Sequence, residues 1–164
     1  MTSQLVLITD TNIWIDLDNG GILVDVFRLP YHFLVPDIAT GELIRPRWET
    51  LQALGLVLQE LTSDQVVELV DLIRSHRNLS AIDLASFLLS KSLHANLLTG
   101  DSRLYALAAS NDIPVHGVLW LLDEMVRLRI LAHEQAAEAL QRMIKMGARL
   151  PREESRKRII NWSR

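Results

Sequence analysis

Leu5-Val6-Leu7-Ile8-Thr9-Asp10 reads as a buried β-strand that runs out onto an acid. Four apolar residues without polar alternation mark a strand covered on both faces, the habit of central parallel strands. Directly after it, Ile13, Trp14, Ile15 and Leu17 suggest a short helix, closed by the turn Asn19-Gly20-Gly21. Asn96-Leu97-Leu98-Thr99 is another buried strand, and Gly100-Asp101 turns into a helix from Ser102 to Ser110.

The rest of the chain falls into place around these two units. Phe33-Leu34-Val35, Leu56-Val57-Leu58 and Ile113-Pro114-Val115 read as further short strands. Pro36-Asp37 starts a helix with Asp37 as N-cap. Val66, Val67, Leu69, Val70 and Ile73 have helical spacing, and Ser80 to His94 is a clear helix with Leu84, Phe87 and Leu88 on one side. Three helical segments close the chain: Val118 to Leu128, Glu134 to Met146 and Pro151 to Trp162. Gly147 suits a C-cap and Pro151 a first-turn position. Strands alternating with helices imply a three-layer α/β/α fold with a mostly parallel central sheet. The expected organisation is one domain over residues 1–164, with 118–164 a helical C-terminal extension of it.

The 164 residues are 49% apolar and contain no cysteine. Thiolate metal sites, disulfides and thiol nucleophiles are thereby excluded. The absence of cysteine fits a reducing cytoplasm, and no signal peptide or membrane-spanning run is read. The net charge of −3 is unevenly spread. Eight of the 17 Lys and Arg, but two of the 20 Asp and Glu, lie from Arg142 to Arg164. An acidic body with a basic end is suited to holding a polyanion; the plainer reading of that end is a solvated terminal helix.

Four acids are expected to meet. In a βαβ sheet the strand ends and helix starts share one edge, where such folds bind ligands. Asp10 and Asp101 follow strands, and Asp83 lies in the first turn of the helix from Ser80. Glu42 is expected about one and a half turns into the helix from Asp37, leaning back towards the same edge. Two unit charges about 4 Å apart repel by roughly 4 kcal/mol at an effective dielectric near 20. Hard cations with a taste for oxygen relieve that repulsion, and a cation so held suits in-line hydrolysis of a phosphodiester. Each acid also has a plainer reading. Asp10 and Asp101 serve as N-caps, Ser80-Ala81-Ile82-Asp83 as a capping box, and Glu42 as a solvated helix charge.

Leu5-Val6-Leu7-Ile8-Thr9-Asp10-Thr11-Asn12 resembles the opening strand and first acid of PIN domains. Leu97-Leu98-Thr99-Gly100-Asp101 is similar to their late strand and final acid, Ala81-Ile82-Asp83-Leu84-Ala85 to the helix with the third, and Glu42 falls where the second is expected. Gly117 to Leu122 and Gly147 to Pro151 resemble a subfamily with extra C-terminal helices. The resemblance implies an Mg²⁺- or Mn²⁺-dependent ribonuclease with Asp10, Glu42, Asp83 and Asp101 as metal and catalytic acids. Thr11, Asn12 and Thr99 support them by hydrogen bonding. It further implies a VapC-like toxin, a small antitoxin partner and a homodimer. Arg152, Arg156 and Lys157 are candidate RNA contacts. The rival from another class is a non-catalytic PIN module that binds RNA or protein.

Other chemistries fit less well. A haloacid-dehalogenase-like phosphatase needs a second Asp where Asn12 stands, and no Gly-rich phosphate loop or Gly-x-Ser-x-Gly elbow is present. The five histidines lack metal-ligand spacing and read as surface or packing residues. Trp14 and Trp120 read as core, Trp48 and Trp162 as packing or contact residues.

Overall fold

The computed structural model describes residues 4–164; residues 1–3, where the expected domain span begins, lie outside the described residues. Five strands, β1 (Leu5–Thr9), β2 (Tyr31–Pro36), β3 (Val57–Gln59), β4 (Asn96–Leu98) and β5 (Val115–His116), form one sheet in the order β3-β2-β1-β4-β5. Every pairing is parallel, with Leu7 opposite Phe33 and Thr9 opposite Leu98. The helices among the described residues are α1 (Thr11–Asn19), α2 (Leu23–Val26), α3 (Trp48–Leu54), α4 (Ser63–Ser75), α5 (Ala81–Leu93), α6 (Ser102–Ala109), α7 (Val118–Arg127), α8 (His133–Lys145) and α9 (Arg152–Trp162).

The unbroken apolar strands are explained by two cores. Leu7, Phe33, Val35 and Leu98 face one cluster with residues of α1, α2, α3, α7, α8 and α9. Ile8 and Leu97 face the other, with residues of α4, α5 and α6. Neighbouring residues on one strand point to opposite sides, so Leu7 and Ile8 both need apolar surroundings. The expected three-layer α/β/α fold is therefore what forms, with a sheet that is parallel throughout. No helix among the described residues is long and apolar enough to cross a membrane.

Two local expectations are corrected, and one short helix is added. The segment from Asp37 is a short 3-10 helix, Asp37–Gly41, with Pro36 at the N-cap. The Thr40 hydroxyl donates to the Asp37 carbonyl, a local bond that competes with the α-helical ladder, and Gly41 has low helix propensity. Helix α3 starts afresh at Trp48 after Pro46. The four-residue α2 had no signal in the sequence. Pro151 stands at the N-cap of α9 and not inside its first turn.

The last three helices are tied to the body by specific features. Gly20 lies against α8 so closely that a Cβ there would sit 2.7 Å from Met143 Cε. Arg158 of α9 reaches Asp123 of α7 with two hydrogen bonds of 2.9 and 2.7 Å, a fork geometry that only Arg supplies. Trp162 is buried. Between α8 and α9, Gly147 adopts φ +99°, and the Ala148 N–H returns to the Met143 carbonyl at 2.9 Å. That left-handed exit is the reason for a glycine there.

Candidate active site

Strand order places the sheet's reversal of winding between β1 and β4, the position where parallel sheets open a crevice at their carboxyl ends. A cleft of about 950 Å³ lies there, lined by Asp10, Asn12, Asp16, Thr99, Asp101 and Arg103 among others. Its far walls come from Tyr105 of α6, from His116 and Trp120, and from the segment Met146 to Pro151 between α8 and α9.

Asp10 is buried and stands at the N-cap position of α1 without making a side-chain capping bond. Its Oδ2 instead accepts from the Thr99 hydroxyl at 3.0 Å. The backbone around it is pinned on both sides. The Asp10 N–H donates to the Leu98 carbonyl at 2.9 Å. Trp14 Nε1 donates to Thr9 Oγ1 at 2.9 Å, and the Trp14 ring is packed against Phe27 and Phe33. Burial pushes the Asp10 carboxyl above its ordinary range. Thr99 and the Asn12 backbone N–H pull it back, while the charges of Asp83 and Asp101 push it up further. Asp83 and Asp101 therefore both act on Asp10 electrostatically.

Asp101 does cap its helix. Oδ1 accepts from the backbone N–H groups of Arg103 and Leu104 at 2.8 and 3.2 Å, and Oδ2 lies 3.3 Å from Arg103 Nη2. Burial raises this carboxyl, but the Arg103 side chain and the two N–H groups outweigh it, and the net shift is downward. Asp83 closes the expected capping box with Ser80, its Oδ2 accepting the Ser80 N–H at 3.0 Å. It does not line the cleft. Glu42 follows the last residue of the 3-10 helix, exposed and outside the cleft. Asn12 lines the cleft, and the Thr11 hydroxyl is buried without a partner. Arg152, Arg156 and Lys157 are exposed on α9, with Lys157 paired to Glu154 at 3.1 Å.

Asp16 is a cleft acid that the sequence reading missed. It is half-buried, and burial followed by the charge of Asp10 pushes it up to about 6. A signal for it existed. Asn12, Asp16 and Asn19 are spaced i, i+4, i+7 and all line the cleft, a polar stripe along one side of α1. Trp120 was expected in the core but is only part-buried and lines the cleft. His116 lies flat on it, ring centroids 3.9 Å apart, and burial lowers the His116 pKa against the opposing pull of Glu124. Glu124 in turn accepts a hydrogen bond from the Tyr31 hydroxyl.

Among the described residues, no group of three or more His, Asp or Glu is arranged to hold a metal ion. Asp83 and Asp101 each commit an oxygen to a helix cap. The donor set at the cleft floor is all oxygen, which suits hard cations. Mg²⁺ is commonly held by one or two carboxylates while keeping several waters. Asp10, buried and pushed up by two neighbouring negative charges, is a carboxylate that a cation would stabilise.

A parallel α/β/α sheet with acids beyond its two neighbouring central strands, and a third acid opening a helix near them, has the layout of a PIN-like nuclease fold. A family model described as a PIN domain (DUF3368) matches residues 6–164, and the chain belongs to the PIN-domain family. No curated protein and no solved structure matches it significantly. PIN domains are usually nucleases, hydrolases acting on RNA or DNA, and generally use divalent metal ions, so membership points to that general class of function.

Proposed function

We propose that the protein is an endoribonuclease dependent on Mg²⁺ or Mn²⁺, with Asp10 and Asp101 as the principal metal-holding acids and Asp83 next to them. Glu42, exposed and outside the cleft, completes the proposed set. The single observation that supports this most is Asp10 itself: a buried carboxylate in an open cleft, making no side-chain hydrogen bond that caps its helix, and raised by burial and by two other acids.

When bound, the metal ion would lower the pKa of a water and neutralise charge building on phosphorus. The chain's own side chains supply the rest. Thr99 fixes the rotamer of Asp10 through its hydroxyl. Arg103, in the cleft beside Asp101, offers N–H donors to phosphate oxygens. Asp16, with its pKa near 6, is placed to take a proton from a water in the cleft. The toxin role, with a small antitoxin partner, a homodimeric state and a cytoplasmic setting, rests on the resemblance of the sequence to VapC-like proteins.

One observation favours a second reading, a non-catalytic PIN module that binds RNA or protein. The caps on Asp83 and Asp101, together with the absence of a three-acid group among the described residues, would suit a domain that has no metal to hold. Labelled RNA with Mn²⁺ separates the two. Wild type is expected to cleave and to stop with chelator. Asp10→Asn and Asp101→Asn should each lose at least 100-fold, and Glu42→Gln should lose least. Equal behaviour of all four proteins removes the nuclease assignment. Arrested growth on expression in a bacterial host, relieved by Asp10→Asn, is the expected sign of a toxin.

A further inference from the structure

Tyr105 is the one aromatic side chain among the described residues that is large, apolar-faced and more than half exposed, at 53%. It belongs to neither apolar cluster. It stands one helical turn beyond Asp101 on α6, with its N–H on the Asp101 carbonyl at 2.9 Å. Residues four apart share a helix face, and Tyr105 accordingly lines the same cleft as Asp101. A ring exposed beside an acid contributes nothing to the core, so its packing does not account for it.

Arg149 enters the cleft from another direction. It lies in the segment between α8 and α9, flanked by Ala148 and Leu150, which pack against the larger core cluster. The left-handed Gly147 and the Ala148 N–H bond to Met143 hold that segment in place. Arg149 is exposed, lines the cleft, and forms no ion pair among the described residues. A guanidinium on a braced loop and a solvent-facing ring thus share one cavity with Asp10 and Asp101.

We propose that Tyr105 and Arg149 form a subsite for one unpaired nucleotide beside the scissile bond. The base lies on the Tyr105 ring and its phosphate pairs with Arg149; this rests on the nuclease reading above. A ring plus a cation is the combination that holds single strands, because every base has a π-face and every residue a phosphate. Bases inside a duplex are already stacked and cannot reach the ring. The C-terminal helices then have a purpose at the site: they carry the arginine.

Binding is measured without cleavage. Asp10→Asn protein in chelator is titrated into a labelled ten-nucleotide unpaired RNA, and anisotropy is followed at several salt concentrations. Added to that background, Tyr105→Ala should weaken binding by about 5- to 150-fold, and Tyr105→Phe should restore it to within about twofold, since stacking needs the ring and not the hydroxyl. Arg149→Gln should lower the logarithmic salt slope by about 0.7, one phosphate contact on a single strand. The same RNA as a duplex should bind more weakly and ignore Tyr105→Ala. Unchanged affinity in Tyr105→Ala, or an unchanged slope in Arg149→Gln, overturns the subsite. Because no turnover is read, a wild-type protein that binds in this way yet never cleaves would sink the reaction and leave the subsite standing. A cleaving protein with unaltered binding would do the reverse.

Discussion

Thr99 joins Asp10 and Asp101 through one oxygen: its hydroxyl donates to Asp10 Oδ2 at 3.0 Å and accepts the Asp101 N–H at 3.1 Å. Thr99→Val keeps the shape and removes both bonds. Hydrogen bonds to charged groups contribute about 1.5–3 kcal/mol, so urea denaturation should show a loss of that order at neutral pH. Nuclease activity should fall with it, through a looser Asp10. A variant as stable and as active as wild type would show that the pairing of β1 with β4 alone sets the two acids.

Asp101 combines a cap with a charge, and two substitutions separate them. Asp101→Asn retains an oxygen for the N–H groups of Arg103 and Leu104, so its stability should stay within about 0.5 kcal/mol of wild type. Its activity should be lost. Asp101→Ala gives up the cap as well and should cost about 1 kcal/mol more in thermal or urea unfolding. Full activity in Asp101→Asn would reduce this residue to a helix cap.

Asp16 makes stability depend on pH. Its pKa is raised from 3.8 to about 6 by burial and by Asp10, so the folded state takes up this proton before the unfolded chain does. The contribution is complete below pH 3.8 and is lost as pH rises through 6. At pH 7.5, Asp16→Asn should therefore be the more stable protein, by about 1–2 kcal/mol after discounting for partial exposure. The gap should close as the pH approaches 4. Melting temperatures of the two proteins across that range provide the check, and a gap independent of pH would remove Asp16 from the cleft's electrostatics.

The strands were legible because Leu7 and Ile8, or Leu97 and Leu98, must both be apolar when helices cover both faces of a parallel sheet. Asp10 and Asp101 were legible for a related reason: a strand that ends on an acid and turns into a helix has few places to put that acid. Glu42 was placed through a helix that the Thr40 hydroxyl and Gly41 cut short, a competition between local bonds that spacing does not reveal. His116 and Trp120 were hidden differently. Apolar neighbours on α7 suggest a core position for Trp120, and only the tertiary arrangement shows that its helix borders the cleft. Tyr105 carries no periodic signal at all; its meaning depends on the exposure of one helix face.

The bond between Thr99 and Asp10 spans 89 residues, and the strands that carry it are adjacent only through β1–β4 pairing. A chain still emerging from the ribosome, short of Thr99, can pair β1 with β2 but lacks both the hydroxyl that holds Asp10 and the side chain of Asp101. The cleft therefore assembles only after β4 and the turn carrying Thr99 and Asp101 have joined β1, so the local order of the first strand does not by itself build the site.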